Sequence, residues 1–410
     1  MSTTTDASAP DGGFRLSQLI YDTRYRSLTI QIVAMILLLT CFGWLINNIV
    51  ENLAALGKDF DFGFLGQRAG YDINQTLIPY DSGYTHGRAA LVGILNTLLV
   101  AFLGCVTATV LGVLAGVLRL SNNWVIAKLM TVYVEAFRNV PLLLWILLIF
   151  ALMTEATPQP RAFRPDENGI ADASMLLWES VAITNRGVFI PAPVWGPGSW
   201  IIGLVFLASI AAIIWWRRRA VKKLFDEGKV VPTFWPSVAM FFLPTLLIFF
   251  VLGRPIGLAY PELGGFNFDG GLQVRNSLIA LWFALSLYTG AFIAEIVRGG
   301  ILAIAKGQTE ASYALGLRSG TTMRLVILPQ ALRVIIPPLI SQYLNLTKNS
   351  SLAIAVGYMD VRSTLGGITI NQTGKELEGM LLLGLFYLVI SLIISGVMNV
   401  YNNRVKLRER

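Results

Sequence analysis

The side chains able to do chemistry are few, and most of them sit where charge is costly. The 410 residues hold one histidine, His86, and two cysteines, Cys41 and Cys105. These are too few and too far apart for a zinc-type cluster, and no clustered His, Asp or Ser machinery supports a membrane-embedded enzyme. Both cysteines lie in apolar stretches and read as small packing residues, not as a disulfide framework. Four ionisable residues stand in or beside apolar stretches: Glu135, Arg138, Glu295 and Lys348. A charge at the centre of a membrane helix costs about 2.5–3.5 kcal/mol on insertion scales, so such residues face a bundle interior, a partner or a cavity. Glu135 and Arg138 are three apart, as are Glu295 and Arg298, so each pair can meet on one helix face. Each pair is then either a structural ion pair near the interface or part of a substrate pathway. Lys348 has no local partner and precedes Asn349, Ser350 and Ser351. A broken helix lining a polar cavity tolerates such a run, which places Lys348, with Asn349 and Ser350, on a permeation route.

Nucleotide chemistry lacks its cradle. A P-loop needs G-x-x-x-x-G-K-[ST]. Gly57-Lys58, Gly228-Lys229 and Gly374-Lys375 are followed by Asp59, Val230 and Glu376, so none qualifies. The sequence therefore offers no ATP hydrolysis of its own.

The elements that position these residues are membrane helices. The chain is 55% hydrophobic and 14% charged. A soluble domain carries about 25% charged residues, so the polar surface that water requires is missing. Runs of roughly 20 apolar residues are long enough to cross a bilayer, and they do not alternate in polarity as barrel strands would. Eight spans are expected, near 28–47, 89–118, 127–153, 200–216, 235–252, 277–297, 331–358 and 379–401. The first is longer than a signal-peptide core and reads as an uncleaved span. Within the second, Gly112 and Gly116 form a small-xxx-small pair suited to close helix packing. The fold class is all-α, a polytopic transmembrane bundle. The net charge of +8 does not point to nucleic acid, because the basic residues flank apolar runs, where a topology signal is expected. With the N-terminus in the cytoplasm, about 20 basic residues fall on the cytoplasmic side against about 10 outside. Arg217, Arg218 and Arg219 then lie inside, and both termini are cytoplasmic. The outward segment 154–199 is rich in proline and reads as irregular, partly extended chain, a linker or a docking surface. No fixed-period repeat is present.

One cytoplasmic connection, 298–330, is too long and too patterned for a turn. Gln308, Thr309, Glu310, Ala311, Ser312, Tyr313, Ala314, Leu315 and Gly316 read as a short amphipathic helix, with Ala311, Ala314 and Leu315 on one face. Gly316 ends the helix or permits close backbone approach. Ser319 is expected to cap a second helix over 321–328, and Pro329 to break or bend the chain after Leu328. A helix lying on lipid would carry bulky apolar residues on one face and bases on the other. This one has Ala, Gly and Glu310, which suits insertion into a groove of another protein.

At these residues the sequence resembles a known family. Glu310-Ala311-Ser312, Gly316, and then Val326-Ile327-Leu328-Pro329-Gln330-Ala331 are similar to the EAA loop of ABC importer permeases, with Ser312 and Val326 departing from the usual Ala and Ile. Glu135-Ala136-Phe137-Arg138-Asn139-Val140-Pro141 resembles the E-x-F-R-G-x-P block of polar amino acid permeases, with Asn139 in place of Gly. The block from Ala291 to Gly300 and the run from Lys348 to Tyr358 extend the likeness, the latter toward general L-amino acid permeases. The resemblance covers 88–154 and 276–401. It implies a type I ABC importer permease core in the bacterial inner membrane, whose EAA loop docks on a separate ATPase. The residues it assigns to that coupling are Gln308, Glu310, Ala311, Ser312, Ala314, Leu315, Gly316, Leu328 and Pro329. It also implies ATP and magnesium used by the partner ATPase dimer, with no cofactor on this chain. Further implied partners are a periplasmic amino-acid-binding protein and a second, related permease or a second copy; the substrate is an amino acid. The chain then divides into an N-terminal cytoplasmic segment (1–27), a first span and periplasmic loop (28–87), core (88–154), an insertion with two extra spans (155–275), core with the coupling loop (276–401) and a basic tail (402–410). The competing class is an ion-coupled secondary amino acid transporter that works alone.

Overall fold

The computed structural model describes residues 23–405 apart from 56, 58, 59, 168 and 169. The segment 1–27 and the tail 402–410 therefore fall outside the described residues, except where they enter helices. The chain divides into two units, Met1–Phe64 and Leu65–Arg410. The first unit holds one long apolar helix, α1 (Thr23–Ala55). At 1.5 Å per residue its 33 residues reach about 50 Å, more than a bilayer core requires.

In the second unit the helices are α2 (His86–Leu118), α3 (Trp124–Asn139), α4 (Leu142–Glu155), α5 (Ser199–Glu227), α6 (Phe234–Val251) and α7 (Asn276–Leu302). After them come α8 (Lys306–Ala314), α9 (Ser319–Thr322), α10 (Leu328–Asn349), α11 (Val361–Ser363), α12 (Ile370–Thr373) and α13 (Glu376–Val405). Among the described residues seven helices are long and apolar enough to cross a membrane, and α3 with α4, taken as one broken span, makes eight.

The core is built on α2 against α7. Small residues let the two backbones close. A Cβ at Gly112 would sit 2.5 Å from Ile293 Cβ and 2.8 Å from the Gly290 carbonyl; at Gly116 it would meet the Ala294 carbonyl at 2.6 Å. The small-xxx-small pair is thus a packing device, as expected. Around this seam Val100, Ala108, Ile146, Leu281, Leu285 and Leu346 form one buried cluster. Cys105 packs against it, whereas Cys41 is exposed and fills no core.

Four expectations are corrected. The span at 127–153 is not one helix: α3 and α4 meet at 108°. Val140 is extended (φ −105°, ψ 133°) because the ring of Pro141 crowds the residue before it out of the helical region. The span at 331–358 stops early. α10 ends at Asn349, a 3-10 turn covers Ser350–Val356, and Gly357 at φ 68° turns the chain away. Pro329 breaks nothing. α9 continues through a π-turn, Met323–Ile327, into α10, where Pro329 sits in the first turn. The wider π-turn just before it makes room for the ring and takes up the lost N–H bond. Nor does Ser319 cap a helix over 321–328. Arg318 holds the cap position in extended conformation without a side-chain bond, and Ser319 is already helical.

The two long segments flanking the α5–α6 hairpin are not simple linkers. Strands β1 (Ala182–Thr184), β2 (Gly187–Ile190), β3 (Ala192–Trp195), β4 (Ile256–Ala259), β5 (Glu262–Leu263), β6 (Phe268–Asp269) and β7 (Leu272–Val274) form three small sheets, and two of the pairings, β2–β7 and β3–β4, cross it. β3 runs antiparallel to β4, from Ala192↔Ala259 to Trp195↔Ile256, and β2 to β7, from Val188↔Val274 to Ile190↔Leu272. The pairings nest around the hairpin. Ala182, Phe189 and Phe268 close a small core under them.

Candidate functional site

The projecting helix comes first. α8 starts after Ala305 with no side-chain cap, and Ser312 is its one buried residue. The Ser312 hydroxyl donates to the Gln308 carbonyl at 2.7 Å, one turn back. The C-terminal end is a Schellman motif: Leu317 N–H donates to the Ser312 carbonyl at 3.1 Å and Gly316 N–H to the Tyr313 carbonyl at 2.9 Å. Gly316 stands at φ +76°, and a Cβ there would meet nothing within 4 Å. The position therefore demands glycine for backbone conformation; close approach within the chain is not the reason. Gln330 Nε2 donates to Gln308 Oε1 at 3.3 Å and to the Val326 carbonyl at 3.0 Å, tying α8 to the entry of α10. Gln308, Glu310, Ala311, Ala314 and Leu315 are all exposed, Leu315 at 80%. Leu328 and Pro329 are exposed as well. Tyr313, at 51% exposure, belongs to this surface and was missed, since the apolar face read from spacing excluded it.

A charged cluster lies at the α8 end of the bundle. Glu295 is held by Arg119, by Arg298 at 2.7 Å and, more loosely, by Arg138 at 3.9 Å. Arg138 also covers the Phe292 ring at 5.4 Å. The expected Glu295–Arg298 pair forms. The expected Glu135–Arg138 pair does not, because Arg138 turns to α7 while exposed Glu135 accepts from the Asn139 amide at 3.3 Å. Arg119 was missed: it lies 176 positions from Glu295, beyond any local pattern.

The Lys348 group lies elsewhere. Leu346 sits on Gly104, about 22 Å along α2 from Arg119. Lys348 is exposed, Asn349 half-buried and Ser350 buried, its hydroxyl donating to the Thr347 carbonyl at 2.7 Å. The structure does not bring Lys348 to Glu135, Arg138 or Glu295.

Beyond Gly357 the chain folds back as a buried polar segment that sequence reasoning did not find. Tyr358 Oη donates to the Asn96 carbonyl at 3.0 Å, Asn96 Nδ2 to the Met359 carbonyl at 2.9 Å, and Val361 N–H to Thr97 Oγ1 at 3.0 Å. Asp360 Oδ1 accepts from Ser363 N–H at 2.8 Å and from Ser363 Oγ at 2.9 Å. Its Oδ2 has no hydrogen-bond partner among the described residues. Burial pushes the carboxyl up to about 6, against the opposing pull of the Ser363 hydrogen bonds. His86 opens α2, buried, with Nδ1 3.1 Å from Thr369 Oγ1.

Taken together, the geometry offers a largely exposed helix at one end of a tightly packed pair, and a polar fold-back along the same pair. The family described as the binding-protein-dependent transport system inner membrane component matches residues 204–407. The glutamate/glutamine/aspartate/asparagine transport system permease protein BztB of Rhodobacter capsulatus is 56% identical over 98% of this chain and 98% of its own length. The general L-amino acid transport system permease protein AapQ of Rhizobium johnstonii is 44% identical over 97% of this chain and 96% of its own. A crystal structure of an amino acid ABC transporter with histidines aligns at 18% identity and TM-score 0.44, over 78% of this chain and 95% of that one, so family membership rests on the two full-length relatives.

Proposed function

Because the chain belongs to the binding-protein-dependent ABC transporter permeases of the polar and general L-amino acid type, we propose that it forms the membrane path of an ATP-driven amino acid importer and is moved through α8 by a separate ATPase. The observation that carries this reading is α8 itself. A nine-residue helix with one buried side chain, a rigid glycine-based end and an open face of Ala311, Ala314 and Leu315 has the shape of an insert for another protein's groove.

In this reading the ATPase dimer holds ATP and magnesium, and this chain holds no cofactor. Closure of the ATPases pushes α8. The continuous run from α9 through the π-turn to α10 passes the push into the bundle, and the path opens to one side or the other. Gln308, Glu310, Ser312, Gly316, Leu328 and Pro329 shape the coupling surface with the three residues of the open face. Lys348, Asn349 and Ser350 line the path where α10 gives way, and Glu135, Arg138 and Glu295 border its α8 end. The chain is an inner-membrane component; the placing of both termini in the cytoplasm rests on the distribution of Lys and Arg. A periplasmic amino-acid-binding protein and a second permease, related or identical, complete the assembly. The relatives' named substrates make amino acids the substrate class.

The test is site-directed cross-linking in native membranes. A cysteine at Ala311 is expected to cross-link to one ATPase subunit, and amino acid uptake to require that subunit. An ion-coupled secondary transporter would instead transport as the purified chain in liposomes with an ion gradient and no ATPase, and that result would overturn the proposal.

A further inference from the structure

The α5–α6 hairpin carries a small charged cleft whose lining includes no residue of α8. α5 has 29 residues and reaches about 43 Å, while a bilayer core is about 30 Å thick. Its apolar part runs from Trp200 to Trp216, about 25 Å, so Trp216 lies at one edge of the hydrocarbon, the level where tryptophans anchor. Just past it come Arg217, Arg218, Arg219, Lys222 and Lys223. Arg217 Nε donates to buried Ser237 of α6 at 3.3 Å, which fixes the two helices together at this level.

A cleft of about 30 Å³ opens here, lined by Trp216, Arg219, Ala220, Lys223 and Val231. That is room for one water-sized group. The Trp216 indole nitrogen is buried and has no hydrogen-bond partner among the described residues. An indole N–H only donates, so what it lacks is an acceptor. Arg219 and Lys223 share the cleft and make the acceptor an anionic oxygen. No carboxylate lines it, and the following acids, Asp226 and Glu227, are exposed, Glu227 taking Lys229 at 3.2 Å. Arg219 is steadied over the Trp215 ring at 5.2 Å.

We propose that this cleft binds the phosphate of a membrane lipid headgroup, one phosphate oxygen accepting the Trp216 N–H while Arg219 and Lys223 hold its charge. The depth of the site selects a lipid as the source of the phosphate. The site secures an accessory hairpin to the bilayer surface and is separate from α8 and from the path.

The test is native mass spectrometry on the full-length protein, delipidated and titrated with phosphatidylglycerol, with inorganic phosphate as the second ligand. The wild type is expected to retain phosphatidylglycerol. Trp216→Phe, which keeps an aromatic ring and removes the N–H donor, is expected to weaken retention about tenfold, as for a hydrogen bond to a charged group. Arg219→Gln with Lys223→Gln is expected to remove it. Thermal unfolding of each variant without added lipid, matching the wild type, separates these effects from misfolding. Unchanged retention in Trp216→Phe and in the double variant would overturn the proposal. Competition by inorganic phosphate at the lipid's own concentration would overturn the lipid assignment.

Discussion

Substitutions at Gly316 separate backbone conformation from side-chain bulk at the end of α8. The residue sits at φ +76°, and an added Cβ would touch nothing within 4 Å of this chain. Any cost of substitution in the free subunit is therefore conformational. An ordinary L-residue in the left-handed region costs about 1–2 kcal/mol, whereas asparagine visits it readily. A cost of that size lowers the ratio of capped to uncapped helix about 5- to 30-fold. Asparagine and valine differ little in size and greatly in left-handed tolerance. The expected order of amino acid uptake, with the complete transporter in proteoliposomes, is Gly, then Asn, then Ala, then Val. Basal ATP hydrolysis is expected to persist in Gly316→Val, so that the ratio of uptake to ATP consumed falls. If Gly316→Asn were as damaging as Gly316→Val while Gly316→Ala behaved as wild type, size against the partner would be the determinant and the conformational argument would fail.

Other outcomes follow from the same contacts. Glu295→Gln leaves Arg119 and Arg298 without their carboxylate and is expected to lower stability by roughly 2–3 kcal/mol, the worth of hydrogen bonds to charged groups, in detergent melts. Arg138→Ala, which removes only a 3.9 Å contact, is expected to cost less than about 1 kcal/mol, and equal losses would refute the assigned geometry. Gly112→Ala forces α2 from α7 and is expected to cost about 1–3 kcal/mol, read as reduced melting temperature and membrane yield; a neutral result would deny the close seam. Asp360 titrates near 6 when folded, above its ordinary value of 3.8, so its buried charge weakens the fold above about pH 6 and the penalty fades as pH falls toward 3.8. Asp360→Asn keeps the acceptor for Ser363 and is expected to raise stability at pH 8 by up to about 3 kcal/mol, with little effect near pH 4; a gain confined to low pH would reverse the reasoning.

The sequence made plain what local physics dictates. Apolar run length gave the spans, and the small residues at 112 and 116 gave the seam, because both signals sit within one helix. Helix α8 was legible for the same reason, since its Ala-rich face and its terminal glycine are neighbours in the chain. What stayed hidden depends on distant partners. Arg119 meets Glu295 only because α2 and α7 pack along their length. Asp360 and Thr97 come together through a fold-back that no period announces. Pro329 misled because a proline in the first turn of a helix and one that ends a helix look alike until the preceding residues are seen to widen into a π-turn.

The nested strands have a modular consequence. Partners in an antiparallel ladder stand only about 4.5–5.5 Å apart, so Ala192 and Ala259 bring the two ends of the α5–α6 excursion side by side. A cassette entered and left through adjacent doors can be gained, lost or exchanged without moving the frame around it. Joining 192 to 259 by a two-residue turn would excise both helices while leaving the β2–β7 ladder, and the helices beyond it, in their present register.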